Sequence, residues 1–128
     1  MERLDTDYID LMILHQPAGN IMAGYRQLEK AYKEGKLKAI GISNFNFEQI
    51  QMILDNCGVI PALIQVERHP FYPQTEIRSF IAPHDMAIQA WYPLGGKGNE
   101  FIKENVIIKE IAVKHGKTPT QIILRWHI

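Results

Sequence analysis

Residues 40–45, IGISNF, form a short apolar segment that ends in polar side chains. The chain repeats this pattern in three other places: ILHQP at 13–17, IQVERHP at 64–70 and IQAWYPLG at 88–95. In parallel β/α proteins the ligand lies at the carboxyl ends of the strands, and several strands contribute side chains to one site. The sequence therefore predicts one site with a residue from each strand end: His15, Asn44, Gln65 and Trp91.

The spacing of these residues agrees with repeated β/α units. They lie 29, 21 and 26 residues apart, close to the roughly 31 residues per unit of a (β/α)8 barrel of about 250 residues. Apolar runs predict strands at 8–15, 37–43, 62–67 and 86–91, and helical periodicity predicts helices at 21–34, 46–58, 74–82, 105–115 and from 118 onward. We expect an α/β fold, a partial (β/α)8 barrel of about four parallel β/α units.

Composition excludes several classes of partner. Lys plus Arg equals Asp plus Glu at 14 each, so net charge favours neither nucleic acid nor an anionic membrane. Cys57 is the only cysteine, and no apolar run approaches the ~18 residues of a spanning helix. The charged start, MERLDTDYID, lacks the apolar stretch of a signal peptide. We expect a cytoplasmic soluble protein.

The polar strand ends allow two interpretations each. His15 has the chemistry to hydrogen-bond a substrate carbonyl, although a histidine that only satisfies loop carbonyls is as common. Asn44 and Gln65 carry amides that would recognise another amide, although forming turns is the commoner role of a Ser-Asn pair. Trp91 offers a flat face for stacking on a cofactor ring, but a tryptophan is more often part of the core.

Other candidate motifs carry less information. The glycine-rich stretch LGGKGNEF after the fourth strand would close over a ligand or simply connect a strand to a helix. P-loop and GxGxxG patterns are absent from the sequence. His69, His84 and His115 lack metal-ligand spacing, so we interpret them as structural or surface residues and expect no metal site.

Taken together, DYIDLMILHQP, EGKLKAIGISNF, IQVERHP and AWYPLGG resemble the aldo/keto reductases, in particular the bacterial branch that includes 2,5-diketo-gluconate reductases. The resemblance covers almost the whole chain, so residues 1–128 would form a single partial barrel domain. It implies strands four to seven of a (β/α)8 barrel that binds NADPH without a Rossmann domain. The implied reaction is reduction of aldehydes or ketones to alcohols.

The resemblance also implies roles for individual residues. His15 matches the active-site histidine that hydrogen-bonds the substrate carbonyl. Ser43, Asn44 and Gln65 match the residues that hold the carboxamide of the nicotinamide. Trp91 stands where the family has an aromatic residue stacked on the nicotinamide ring, and Leu94 with the following glycines matches the loop near the pyrophosphate.

Part of the family pattern has no match among these residues. The family's catalytic tyrosine, lysine and aspartate precede the DYIDL strand, and neither Tyr8 nor Tyr92 replaces the tyrosine. The eighth strand and the basic segment for the 2'-phosphate would follow LRWHI. We therefore expect the chain to be inactive alone. The alternatives are a non-catalytic binding or assembly module that self-associates through exposed strand edges, and a regulatory subunit like the potassium-channel β subunits.

Overall fold

A computed structural model describes residues 4–96, 98 and 100–128. Strands and helices alternate along the described chain until the last two helices, which follow one another. The elements are β1 Met12–Leu14, α1 Ile21–Lys33, β2 Ile40–Ser43, α2 Phe47–Asn56, β3 Leu63–Glu67, α3 Thr75–Ile81, β4 Ala87–Trp91, α4 Val106–His115 and α5 Pro119–His127. Short 3₁₀ helices follow α3, at Ala82–His84, and precede α4, at Glu100–Glu104.

The strands form a four-stranded parallel sheet in the order β1-β2-β3-β4. Met12 is opposite Ile40, and Ser43 is opposite Gln65. Hydrogen bonds from Ala87 N to Ala62 O and from Arg68 N to Trp91 O join the third and fourth strands. Sequential parallel strands with intervening helices are what the sequence predicts for a partial barrel, and this prediction of the fold class is confirmed.

The first strand is shorter than the sequence indicates. Ile9 pairs with Leu37 in an isolated parallel bridge, and regular pairing starts again only at Met12. Asp10 lies between these two pairings, and its carboxylate accepts a hydrogen bond from Lys38 Nζ at 3.2 Å. A charged side chain directed to solvent interrupts the apolar run, so the predicted strand at 8–15 is divided in two.

The chain divides into two compact units, and the division passes through β3 and β4. The first unit comprises Met1–Gln65 and Glu76–Ile88, and the second comprises Val66–Thr75 and Gln89–Ile128. Each has its own buried residues. Those of the first unit include Tyr25, Ile40, Ile42, Ile50, Ile53 and Ile64, and those of the second include Val66, Ile102, Ile108, Ala112 and Ile123.

Within the first unit the sheet has a helix-facing side and an opposite side. Ile42 and Ile64 are opposite each other and fully buried on the helix-facing side. On the other side Ile13, Gly41 and Leu63 lie in register. A Cβ atom at Gly41 would lie 3.0 Å from Leu63 Cδ1 and 3.1 Å from Ile13 Cγ1. A side chain at position 41 would therefore need Ile13 or Leu63 to move by a few tenths of an ångström.

Helix ends agree with the sequence signals. Asn46 and Gln49 form a reciprocal capping box at the start of α2, and Thr118 and Gln121 form another at the start of α5. Gly116 has the left-handed φ of +60° that ends α4. In the part of the chain that the structure describes, no helix has the length and apolar character needed to span a bilayer.

Candidate functional site

Polar residues of the first unit lie side by side at the carboxyl end of β2 and in the middle of β3. Ser43 is paired with Gln65 in the β2–β3 register, and Asn44 N donates a hydrogen bond to Gln65 O at 3.0 Å. His15 follows Leu14, whose partner on β2 is Ile42. His15 is thus the residue directly after β1, and it is exposed. The β2–β3 register brings Gln65 beside Ser43 and Asn44.

Asn44 adopts a conformation that strand alternation does not predict. Its φ is +60°, a left-handed value that asparagine tolerates better than most residues. In a continued strand its side chain would point away from that of Ser43. Instead, Asn44 Nδ2 donates to Ser43 Oγ at 3.0 Å. Because the Ser43 hydroxyl already accepts this bond, its own proton remains available as a donor.

Trp91 belongs to the second unit and is stacked on its neighbour in sequence. The indole and the Tyr92 ring are 3.8 Å apart between centroids and inclined by 19°. Tyr92 has a φ of +51°, which is uncommon for an aromatic residue. Trp91 is 45% exposed, so it is not a core tryptophan. Tyr92 covers one face of the indole.

Leu94 anchors the segment that follows β4. Its side chain packs against the buried cluster of Ile102, Ile108 and Ile123 in the second unit. Gly95 N donates to Tyr92 O at 2.9 Å and closes a turn around Pro93. The glycine-rich stretch therefore begins with a hydrogen-bonded turn. Residues 97 and 99 of that loop lie outside the described residues.

The second unit also contains a polar network that sequence reasoning missed. His127 Nδ1 is 3.0 Å from Arg68 Nη1, and His127 Nε2 is 3.0 Å from the carbonyl oxygen of Pro93. Arg68 is 4% exposed, and its guanidinium lies 4.3 Å from the centre of the Trp126 ring. Arg68 and His127 are 59 residues apart, so no local spacing could have paired them. An arginine directly after a predicted strand was a signal that the sequence did contain.

The other histidines have different surroundings. His69 is 3% exposed, and its Nε2 lies 3.2 Å from Glu67 Oε1. The ring of His84 is 6.5 Å from that of Phe80. His115 is exposed in the last turn of α4. These three side chains are thus spread over a strand end, a 3₁₀ helix and a helix terminus.

Comparison with known proteins assigns a family. The model of the aldo/keto reductase family matches residues 1–128. Over 128 residues the chain is 40% identical to the 9,11-endoperoxide prostaglandin H2 reductase of Trypanosoma cruzi, covering 99% of this chain and 45% of that protein. It is 36% identical to methylglyoxal reductase DkgA of Escherichia coli, covering 100% of this chain and 47% of the relative. The chain spans about half the length of the curated relatives that it matches.

Solved structures agree with the sequence comparison. The aldo-keto reductase MGS-M4 from a Medee basin deep-sea metagenome library superposes with a TM-score of 0.93 at 35% identity, over 98% of this chain and 47% of that one. An aldo/keto reductase from Brucella melitensis gives a TM-score of 0.90 at 41% identity, over 98% of this chain and 48% of that one. The similarity in fold thus extends over nearly all of the 128 residues.

Proposed function

Because the chain belongs to the aldo/keto reductase family, we propose that it serves the NADPH-dependent reduction of aldehydes or ketones to alcohols. Its part is to hold the nicotinamide and to orient the substrate carbonyl. The observation that carries this proposal is the row of polar groups around the β2–β3 pairing. In this row, Asn44 is hydrogen-bonded to Ser43 through its side chain and to Gln65 through its backbone N.

The row has the chemistry that a carboxamide requires. A carboxamide presents one carbonyl acceptor and an NH₂ group with two donors. The Ser43 hydroxyl, already accepting from Asn44, would donate to the carboxamide oxygen, and the Asn44 side-chain oxygen would accept from the NH₂ group. The Gln65 amide has the same donor and acceptor capacity beside them. These groups form a local arrangement that would fix the orientation of the nicotinamide ring.

Two further roles belong to the proposal. The exposed imidazole of His15, next to this row, would donate a hydrogen bond to the carbonyl oxygen of the substrate. Trp91 would present the indole face opposite Tyr92 to the nicotinamide. NADPH, when bound, supplies the hydride. The role of Leu94 near the pyrophosphate would fall to its backbone, because its side chain packs in the core.

NADPH titration of the purified chain tests the proposed cofactor site. Replacing Ser43 or Gln65 by alanine removes a neutral hydrogen-bonding group, so each change should weaken binding by about twofold to tenfold. Cofactor fluorescence measures the dissociation constant. Gln27→Ala is the control, since Gln27 is an exposed amide on α1. Equal affinity in all three variants and the unaltered chain would contradict the assignment of the carboxamide site.

We also propose that the 128-residue chain has little activity by itself. The resemblance implies that the family's catalytic tyrosine, lysine and aspartate have no counterpart among these residues, and general acid catalysis contributes about 10²- to 10⁴-fold. With NADPH and a reactive aldehyde, turnover should be at least about 10³-fold below that of a complete family member. Rapid NADPH oxidation that disappears in His15→Ala would contradict this and would make His15 the proton donor.

The second candidate function is a non-catalytic assembly module. It is favoured by the positions of β1 and β4 at the two ends of the strand order, because each has an outer side where backbone groups would accept another strand.

For the enzymatic function we propose a cytoplasmic location, since NADPH is replenished inside cells. Cell fractionation with an antibody against the chain tests that location.

A further inference from the structure

We propose that His127 is a positioning residue that holds the Pro93 carbonyl through a proton on Nε2 and so fixes the segment Trp91–Gly95. The inference rests on the proposed function in one respect, because this segment carries the indole proposed to contact the nicotinamide. Two hydrogen bonds of the second unit, from Arg68 to His127 and from His127 to Pro93, support this role.

The chemistry of Arg68 determines which ring nitrogen of His127 carries the proton. A guanidinium only donates hydrogen bonds. His127 Nδ1, 3.0 Å from Arg68 Nη1, must therefore accept. In a neutral imidazole the proton then lies on Nε2, which is 3.0 Å from Pro93 O, a group that only accepts. The direction of donation is fixed from Arg68 through His127 to Pro93.

Arg68 is held firmly enough to fix the orientation of the imidazole. Its Nε donates to Pro73 O at 3.3 Å, and its guanidinium lies over the Trp126 ring. The side chain is almost completely buried. The backbone N of the same residue donates to Trp91 O at 3.0 Å. Arg68 thus holds the segment Trp91–Gly95 at two points, directly at Trp91 and through His127 at Pro93.

The Pro93 carbonyl is an effective point at which to hold this segment. Proline has a fixed φ and no N–H, so its carbonyl is the one backbone group through which it can be hydrogen-bonded. On one side of it lies the stacked pair of Trp91 and Tyr92, and on the other Leu94 enters the core. The bond from His127 therefore constrains the turn that orients the aromatic pair.

Two substitutions separate the hydrogen bond between Arg68 and His127 from the hydrogen bond between His127 and Pro93. In His127→Gln the side-chain amide nitrogen occupies about the position of Nε2, so donation to Pro93 is retained. In His127→Asn the shorter side chain retains an acceptor for Arg68 but does not reach Pro93. His115→Asn is the matched control, because His115 is exposed on α4.

The first readout is amide hydrogen exchange of Gly95, whose N–H is bonded to Tyr92 O in the turn. Exchange should be about twofold to tenfold faster in His127→Asn, the range expected for loss of one neutral hydrogen bond. It should be unchanged in His127→Gln and in the control. NADPH affinity should follow the same order. Equal Gly95 exchange in the Asn and Gln variants would overturn the inference.

The second readout requires no substitution. Nitrogen-15 NMR of the imidazole in the unaltered chain at neutral pH should show the proton of His127 on Nε2, and a proton on Nδ1 would overturn the inference. Failure of the unaltered chain to bind NADPH would count against the proposed function only. Gly95 exchange and the position of the ring proton would still decide the role of His127.

Discussion

Gly96 is the residue on which the aromatic pair depends most directly. A Cβ atom there would lie 1.8 Å from Tyr92 Cδ2, so Gly96→Ala must displace the Tyr92 ring. The displacement should cost about 1–3 kcal/mol of unfolding free energy, the usual range for overpacking. It should also change the near-ultraviolet circular dichroism of Trp91, because the indole loses its stacked neighbour.

The control for this substitution is a second glycine-to-alanine change. A Cβ atom at Gly24 would be 3.6 Å from Leu14 Cδ1, which is ordinary contact distance, and Gly24 lies inside α1. Gly24→Ala should therefore keep or raise the unfolding free energy, by up to about 1 kcal/mol. Equal effects of the two changes in thermal and denaturant unfolding would refute the packing of Tyr92 on Gly96.

Counting along the apolar runs placed Ser43 and Trp91 at strand ends, whereas Gln65 lies in the middle of β3, and backbone conformations were not predicted. The position of Ser43 follows from counting along its apolar run. The orientation of Asn44 does not, because its left-handed φ breaks the alternation on which the counting relies. The stacking of Tyr92 on Trp91 has the same origin, since Tyr92 also has a positive φ directly after a strand.

Helix α1 is hydrogen-bonded to the segment that leads into β3. Tyr25 is fully buried and donates through its hydroxyl to Val59 O at 2.9 Å. One turn along, the Glu29 carboxylate accepts from Gly58 N and Val59 N, both at 2.8 Å. Burial, followed by the nearby charges of Cys57 and Glu29, raises the pKa of Tyr25 above its ordinary value.

Because its pKa is raised, Tyr25 on α1 should lower the free energy of unfolding at alkaline pH. A raised pKa means that folded Tyr25 stays protonated where the unfolded chain has already lost the proton. The contribution of Tyr25 to the free energy of unfolding is complete below about pH 10. It falls as the pH rises through the raised pKa, by up to about 1.4 kcal/mol per pH unit. Tyr25→Phe should cost about 1 kcal/mol at neutral pH and lessen the alkaline loss.

Urea unfolding between pH 7 and pH 11 measures this effect. Tyr32→Phe is the control, because Tyr32 lies on the same helix and is 39% exposed. It should retain the alkaline loss of the unaltered chain. The same alkaline slope in Tyr25→Phe and in the control would show that Tyr25 is not its source.

Helix ends were predictable because their signals are local. Both capping boxes use residues three positions apart, so the sequence contains the complete interaction. The first strand was less predictable. Asp10 stands within its apolar run, and a criterion based on the run as a whole does not place the interruption at that residue.

The two outer strands of the sheet, β1 and β4, predict that the chain associates with itself. β1 is one end of the order, and exposed outer strands promote pairing with further chains unless charges prevent it. Sedimentation velocity over a range of concentrations should show dimers or larger species. Met12→Lys, which adds a charge on β1 where Met12 is 37% exposed, should reduce them.

Met52→Lys is the matched control, since Met52 is 41% exposed but lies on α2. It should leave the distribution of species unchanged. A strictly monomeric chain at all concentrations would contradict association through strand edges and would remove the main support for the assembly module.

The close approach at Gly41 has a consequence for the order in which mutations can accumulate. Ile13, Gly41 and Leu63 share one limited space, so the volume available to each depends on the other two. Substitutions among residues in contact are not additive. An alanine at position 41 needs Ile13 or Leu63 to shift by a few tenths of an ångström, and a smaller neighbour would provide that space without a shift. An evolutionary path through these three positions therefore has a favoured direction, in which loss of volume at 13 or 63 eases a later gain at 41.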